Sequence, residues 1–75
     1  MTPLQQRIHD AVAGLQRGEV VSYQEIARRA GNPGAPRAVG AFLAEHGDGL
    51  PWWRVVHKNG SLSAPNRREQ RRRLL

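Results

Sequence analysis

The chain has 75 residues, a net charge of +6 at pH 7 and no cysteine. That length allows one domain, residues 1–75, whose thin core buries about 60–65% of the surface the unfolded chain exposes. The lack of cysteine excludes a disulfide framework, a thiol nucleophile and a thiolate metal site, and fits a reducing cytoplasm.

The histidines, His9, His46 and His57, stand at no metal-ligand spacing, so neither a metal nor another cofactor is expected, and all three are expected on the surface. No apolar run reaches the length of a signal peptide or a membrane span. Eleven of the basic residues are arginine, and Lys58 is the one lysine. Arginine suits phosphates and base edges, and so strong a charge on so small a domain points to a nucleic-acid partner. The segment "NRREQRRRLL" carries +4 of the +6, so a solvated basic tail is the alternative.

"TPLQQRIHDAVAGLQ" reads as a first helix, with Thr2 as N-cap and Pro3 as its first residue. Leu4, Ile8, Ala11, Val12 and Leu15 share one face, and Gly18 ends the segment. Val20 and Val21 favour a short strand. Ser22 and Glu25 form a capping-box pattern and Gly31 a C-terminal glycine, which predicts a second helix over about 23–30. Arg28 and Arg29 on it face either phosphates or solvent. "NPGAP" is a loop. "APRAVGAFLAEHG" predicts a third helix over about 35–46, closed by Gly47, with Val39, Phe42 and Leu43 on its apolar side. Arg37 lies in its first turn, the end a DNA-reading helix commonly presents. Gly40 costs ~1 kcal/mol against alanine; with Ala38 and Ala41 it shaves a face either for a neighbouring helix or for a ligand.

"WRVVHKNGSLSA" reads as a hairpin turning at Asn59-Gly60, and residues 67–75 as a basic helix. The expected fold is therefore mostly α with a small β-hairpin, a winged-helix-like helix-turn-helix domain. The remaining feature is "LPWWRVV", which spends two of the chain's four Trp, Tyr and Phe residues on adjacent positions.

The segments "VVSYQEIA", "GNP", "RAVG" and Pro-x-x-Arg-Val-Val, in this order, resemble the DNA-binding domain of the O6-alkylguanine-DNA alkyltransferases over about residues 3–75. Those enzymes carry Pro-Cys-His-Arg-Val, with the cysteine as alkyl acceptor. Here Trp52 stands at the cysteine position and Trp53 at the histidine position. An indole replaces no thiolate nucleophile, so no enzyme is expected. The second change, at Trp53, argues against a lone engineered loss of activity.

A tryptophan at that position is similar to what the alkyltransferase-like proteins carry. The resemblance implies a protein that binds O6-alkylguanine in double-stranded DNA, flips the base without repairing it and flags it for nucleotide excision repair proteins. It implies a monomer in the cytoplasm, on the nucleoid when bound to DNA, with no membrane partner.

It also implies site residues. Tyr23 would help rotate the nucleotide, Arg37 would fill the gap in the duplex, and Ala38, Gly40 and Ala41 would let the third helix enter the minor groove. Tyr23, Leu43, Pro51, Trp52, Arg54, Val55 and Ser63 would form the base pocket. Arg67 or Arg68 would stand for the family's lid arginine. Strand alternation points Trp52 into the pocket and Trp53 into the core. A winged-helix transcription regulator is the alternative, but "RAVGAFLA" supplies poor base readout.

Overall fold

A computed structural model describes residues 1–57 and 67–74. Helix α1 (Pro3–Ala13) starts as its sequence predicts. The Thr2 hydroxyl accepts from the Gln5 amide at 3.1 Å, and the Gln5 side chain accepts from the Thr2 amide at 2.9 Å. The helix ends earlier than its periodicity suggests, at a cap on Gly14. Leu15 nonetheless turns back into the core, its amide bonded to the Val12 carbonyl.

Strand β1 (Val21–Ser22) runs directly into α2 (Tyr23–Arg29). The Ser22 hydroxyl caps the Glu25 amide at 3.0 Å. Half of the expected capping box is missing, because the Glu25 carboxylate turns to Arg28 and Arg29. Gly31 adopts φ +83°, a left-handed conformation that reverses the chain after α2. Arg7 of α1 donates to the carbonyl of Ala30, the C-cap residue of α2, at 2.7 Å and closes that end. Helix α3 (Pro36–His46) follows and completes the helix-turn-helix. A side chain at Gly47 would collide with the Leu43 carbonyl, so this exit needs glycine.

Ile8, Val12 and Leu15 from the first segment meet Ile26, Ala27 and Ala30 from the second and Val39 and Phe42 from α3. Leu50 and Val55 close this core.

The stretch holding the two tryptophans is a 3-10 turn, Trp52–Arg54, and not the start of a strand. Strand β2 (Val55–Val56) follows and pairs in parallel with β1, Val21 against Val55 and Ser22 against Val56. The hairpin expected around Asn59-Gly60 lies outside the described residues.

Helix α4 (Arg67–Leu74) is basic on its outer side, with Arg71, Arg72 and Arg73 exposed. It is not simply a solvated tail, because its Gln70 is fully buried. The Gln70 amide donates to the Trp53 carbonyl at 3.0 Å and to the Val55 carbonyl at 2.7 Å. Among the described residues the architecture is thus a three-helix core, a two-stranded parallel sheet and a docked terminal helix. No described helix is long and apolar enough to cross a membrane.

Candidate nucleic-acid interface

The elements around α3 leave an open cavity of about 650 Å³. Each wall has a local cause. Tyr23 enters it because β1 passes straight into α2 and Tyr23 is the first helical residue. Arg37, Gly40 and Leu43 enter it from successive turns of α3, spaced three residues apart on one helix face. Trp52 enters it from the 3-10 turn, and α4 adds Glu69 and Arg73.

A Cβ built on Gly40 meets nothing within 4 Å. Helix packing therefore does not explain this glycine, and its missing side chain widens the cavity. Arg37 is exposed and, among the described residues, forms no hydrogen bond or ion pair. It is a cation held at the helix entrance with no partner among the described residues. Arg28 and Arg29 differ from it. Both are hydrogen-bonded to Glu25, and Arg29 also reaches Glu19 at 3.3 Å. Their guanidinium groups, Arg28 before Arg29, hold the Glu25 carboxyl down at about 2.

The two tryptophans meet edge to face, with ring centroids 6.1 Å apart and planes at 84°. In a 3-10 turn neighbouring side chains do not alternate as in a strand. Trp53 accordingly does not enter the core. It is half-buried between the Arg73 guanidinium, 4.7 Å from its ring centroid, and that of Arg54, at 5.9 Å. Arg73 is also bonded to Glu69 at 2.9 Å. That bond, with the Arg72 charge beside it, holds the Glu69 carboxyl below its ordinary value.

Of the residues expected at the site, Tyr23, Arg37, Gly40, Leu43 and Trp52 converge on the cavity. Ala38 is packed against the core and Ala41 is exposed, and neither lines it. Pro51 lies just before the 3-10 turn and outside the lining. Besides Pro51, two further pocket expectations need correction. Val55 is fully buried and its side chain belongs to the core, because parallel pairing with β1 turns it inward. Arg54 is directed over Trp53 and does not line the cavity.

Ser63 lies outside the described residues, as does the Arg67 side chain. Arg68 is exposed and does not line the cavity; among the described side chains of α4 the arginine that does is Arg73. The sequence reading missed Arg73, Glu69, Glu45, Asp48 and His57, all of which line it. An i, i+4 pair of Glu69 and Arg73 was visible as a helix motif, but nothing local says which way it faces. No cluster of three or more metal-ligating side chains exists among the described residues.

A helix-turn-helix whose second helix borders an aromatic-walled cavity has the outline of a DNA-binding domain. Residues 3–75 match the model of the 6-O-methylguanine DNA methyltransferase DNA-binding domain, and the chain belongs to that family. It is 42% identical over 74 residues to the DNA base-flipping protein of Escherichia coli, a match covering 93% of this chain and 57% of that protein. It is 37% identical over 59 residues to alkyltransferase-like protein 1 of Schizosaccharomyces pombe, covering 76% of this chain and 55% of the relative. The chain thus spans just over half the length of these relatives.

Its fold superposes on the crystal structure of S. pombe Atl1 in complex with damaged DNA containing O6-carboxymethylguanine. The TM-score is 0.88 at 32% identity, over 99% of this chain and 74% of that one. Cysteine-dependent relatives also appear. The methylated-DNA–protein-cysteine methyltransferase of Salmonella typhimurium is 36% identical over 64 residues, 83% of this chain and 37% of the enzyme.

Proposed function

We propose that the chain binds duplex DNA containing O6-alkylguanine, flips the damaged nucleotide and holds its base in the cavity without removing the alkyl group. The observation that carries this reading is Trp52 on the cavity wall in a chain with no cysteine. In the family resemblance Trp52 occupies the place of the alkyl-accepting cysteine. An indole there offers a flat apolar face for a base and no thiolate for alkyl transfer.

Tyr23 is the residue that turns the target nucleotide, and Arg37 is the side chain that fills the emptied stack. Gly40 and the small Ala38 and Ala41 give α3 its clearance against the groove. Leu43 and Trp52 provide apolar walls, with Pro51 shaping the turn that presents Trp52. Residues 1–75 act as one DNA-binding domain and as a monomer. The complex forms in the cytoplasm at the nucleoid and hands the lesion to nucleotide excision repair proteins. The base-flipping relative and the relative in complex with damaged DNA support this reading.

The test is fluorescence anisotropy on matched duplexes with and without one O6-methylguanine, at fixed salt because phosphate contacts make affinity salt-dependent. Tighter binding to the modified duplex, with unchanged protein mass after incubation, is expected. Equal affinities end the sensor reading, and a covalent alkyl adduct ends the non-enzymatic one.

A further inference from the structure

His57 is a cavity residue that the proposed recognition leaves without a role. Its position follows from the sheet. The parallel register sets Val21 against Val55 and Ser22 against Val56, so the residues that leave the two strands next are Tyr23 and His57. Their rings meet at a centroid separation of 5.1 Å with planes inclined by 48°. His57 is exposed, and it lines the same cavity as Tyr23. His9 pairs with Asp10 and His46 with Glu45, whereas among the described residues no carboxylate pairs with His57.

We propose that His57 is a proton-dependent contact to the DNA backbone: it takes a proton from solvent as the duplex docks, and the imidazolium lies between the Tyr23 ring and a phosphate. This rests on the reading that DNA docks across the cavity mouth. A free imidazole ordinarily titrates near pH 6.5, within reach of a small added field. A phosphate is anionic throughout that range and favours the charged ring. A cation within ~6 Å of an aromatic face is also attracted to it.

The other charges on the cavity wall act in both directions. Glu45 of α3 and Asp48 of the following loop favour protonation. Arg37 of α3 opposes it, while the charge of Arg73 on α4 is offset by Glu69 at 2.9 Å. Docking a polyanion therefore tips the balance toward the imidazolium. Because the charged form is the one that binds, affinity gained from His57 is present below the imidazole pKa in the complex and is lost as pH rises through it.

The experiment measures affinity for plain and O6-methylguanine duplexes between pH 5.5 and 8, with wild type, His57→Gln and His57→Arg. Calorimetry in two buffers of different ionisation enthalpy reads the protons taken up. Wild type should bind about three- to tenfold more tightly at pH 5.5 than at pH 8, with uptake approaching one proton and a steeper salt slope at the lower pH. His57→Gln should lose both the pH dependence and the proton uptake. His57→Arg should bind at pH 8 with the affinity wild type shows at pH 5.5. A His57→Gln variant that still tightens on acidification, or wild-type binding without proton uptake, overturns the assignment of His57 and leaves the DNA reading standing. Failure to bind either duplex at any pH brings down the DNA reading itself.

Discussion

The Gln70 side-chain amide lies 2.7 Å from the Val55 carbonyl oxygen and, through the same nitrogen, 3.0 Å from that of Trp53. One buried residue of α4 thereby holds the carbonyls on either side of Arg54, within and just after the 3-10 turn that carries Trp52. The bond also fixes how α4 lies, and with it the positions of Glu69 and Arg73 on the cavity wall.

Gln70→Leu removes the donor and leaves two carbonyl groups unpaired in a closed environment. An unsatisfied buried polar group costs about 1–3 kcal/mol, so the variant should lose about 2–4 kcal/mol of stability. Chemical denaturation read by tryptophan fluorescence measures this. A loss below half a kilocalorie would mean that water replaces Gln70 without penalty.

Trp52→Ala should reduce affinity for the O6-methylguanine duplex by about 1–3 kcal/mol, the worth of a base-aromatic stack, and affect plain DNA less. Trp53→Ala should instead lower the melting temperature, because it removes the ring between Arg54 and Arg73. Lesion discrimination that follows Trp53 and ignores Trp52 would reverse these roles.

Gly40→Ala separates helix propensity from clearance. Alanine stabilises a helix interior by about 0.5–1 kcal/mol relative to glycine, and the new methyl meets open space. Thermal stability should rise while lesion affinity falls, as the methyl enters the cavity. A variant more stable and equally tight would show that this face of α3 needs no clearance.

Arg37→Ala tests the role of the cation in the first turn of α3. A side chain that fills the gap left by a flipped base should, when removed, lower base flipping and leave most of the salt slope intact. A phosphate clamp would instead reduce the slope by about one and weaken all DNA alike. Fluorescence of 2-aminopurine at the target position, read with affinity at several salt concentrations, distinguishes the two.

Glu25 sets an acid limb of stability. Its carboxyl lies at about 2 in the folded chain against an ordinary value of 4.5. The unfolded chain therefore binds the proton first on acidification. Stability from the bonds to Arg28 and Arg29 is fully present above about pH 4.5 and is lost as pH falls toward 2. Glu25→Gln should melt at a lower temperature than wild type at pH 7, with the gap closing at about pH 2 and shrinking in high salt. A gap that is constant with pH would mean that charge plays no part.

Features governed by a few neighbouring residues were legible in the amino-acid sequence. The caps at Thr2 and Ser22, the reversal at Gly31 and the helix-turn-helix are local, because capping bonds span one turn and left-handed φ belongs to one residue. The sequence sets Gly40 beside Arg37 but groups Leu43 with the apolar Val39 and Phe42; only the fold brings all three to one cavity wall.

The boundary of α1 was less legible: Leu15 keeps the apolar period while the chain has already left the helix at Gly14. Only tertiary structure decided that residues 21–22 pair in parallel with 55–56, that Val55 faces the core, and that Gln70 docks α4. It also chose Arg73 over Arg68 as an α4 arginine on the cavity wall, and set His57 against Tyr23. These outcomes depend on which distant backbone groups satisfy one another, and no local propensity encodes which distant groups will meet.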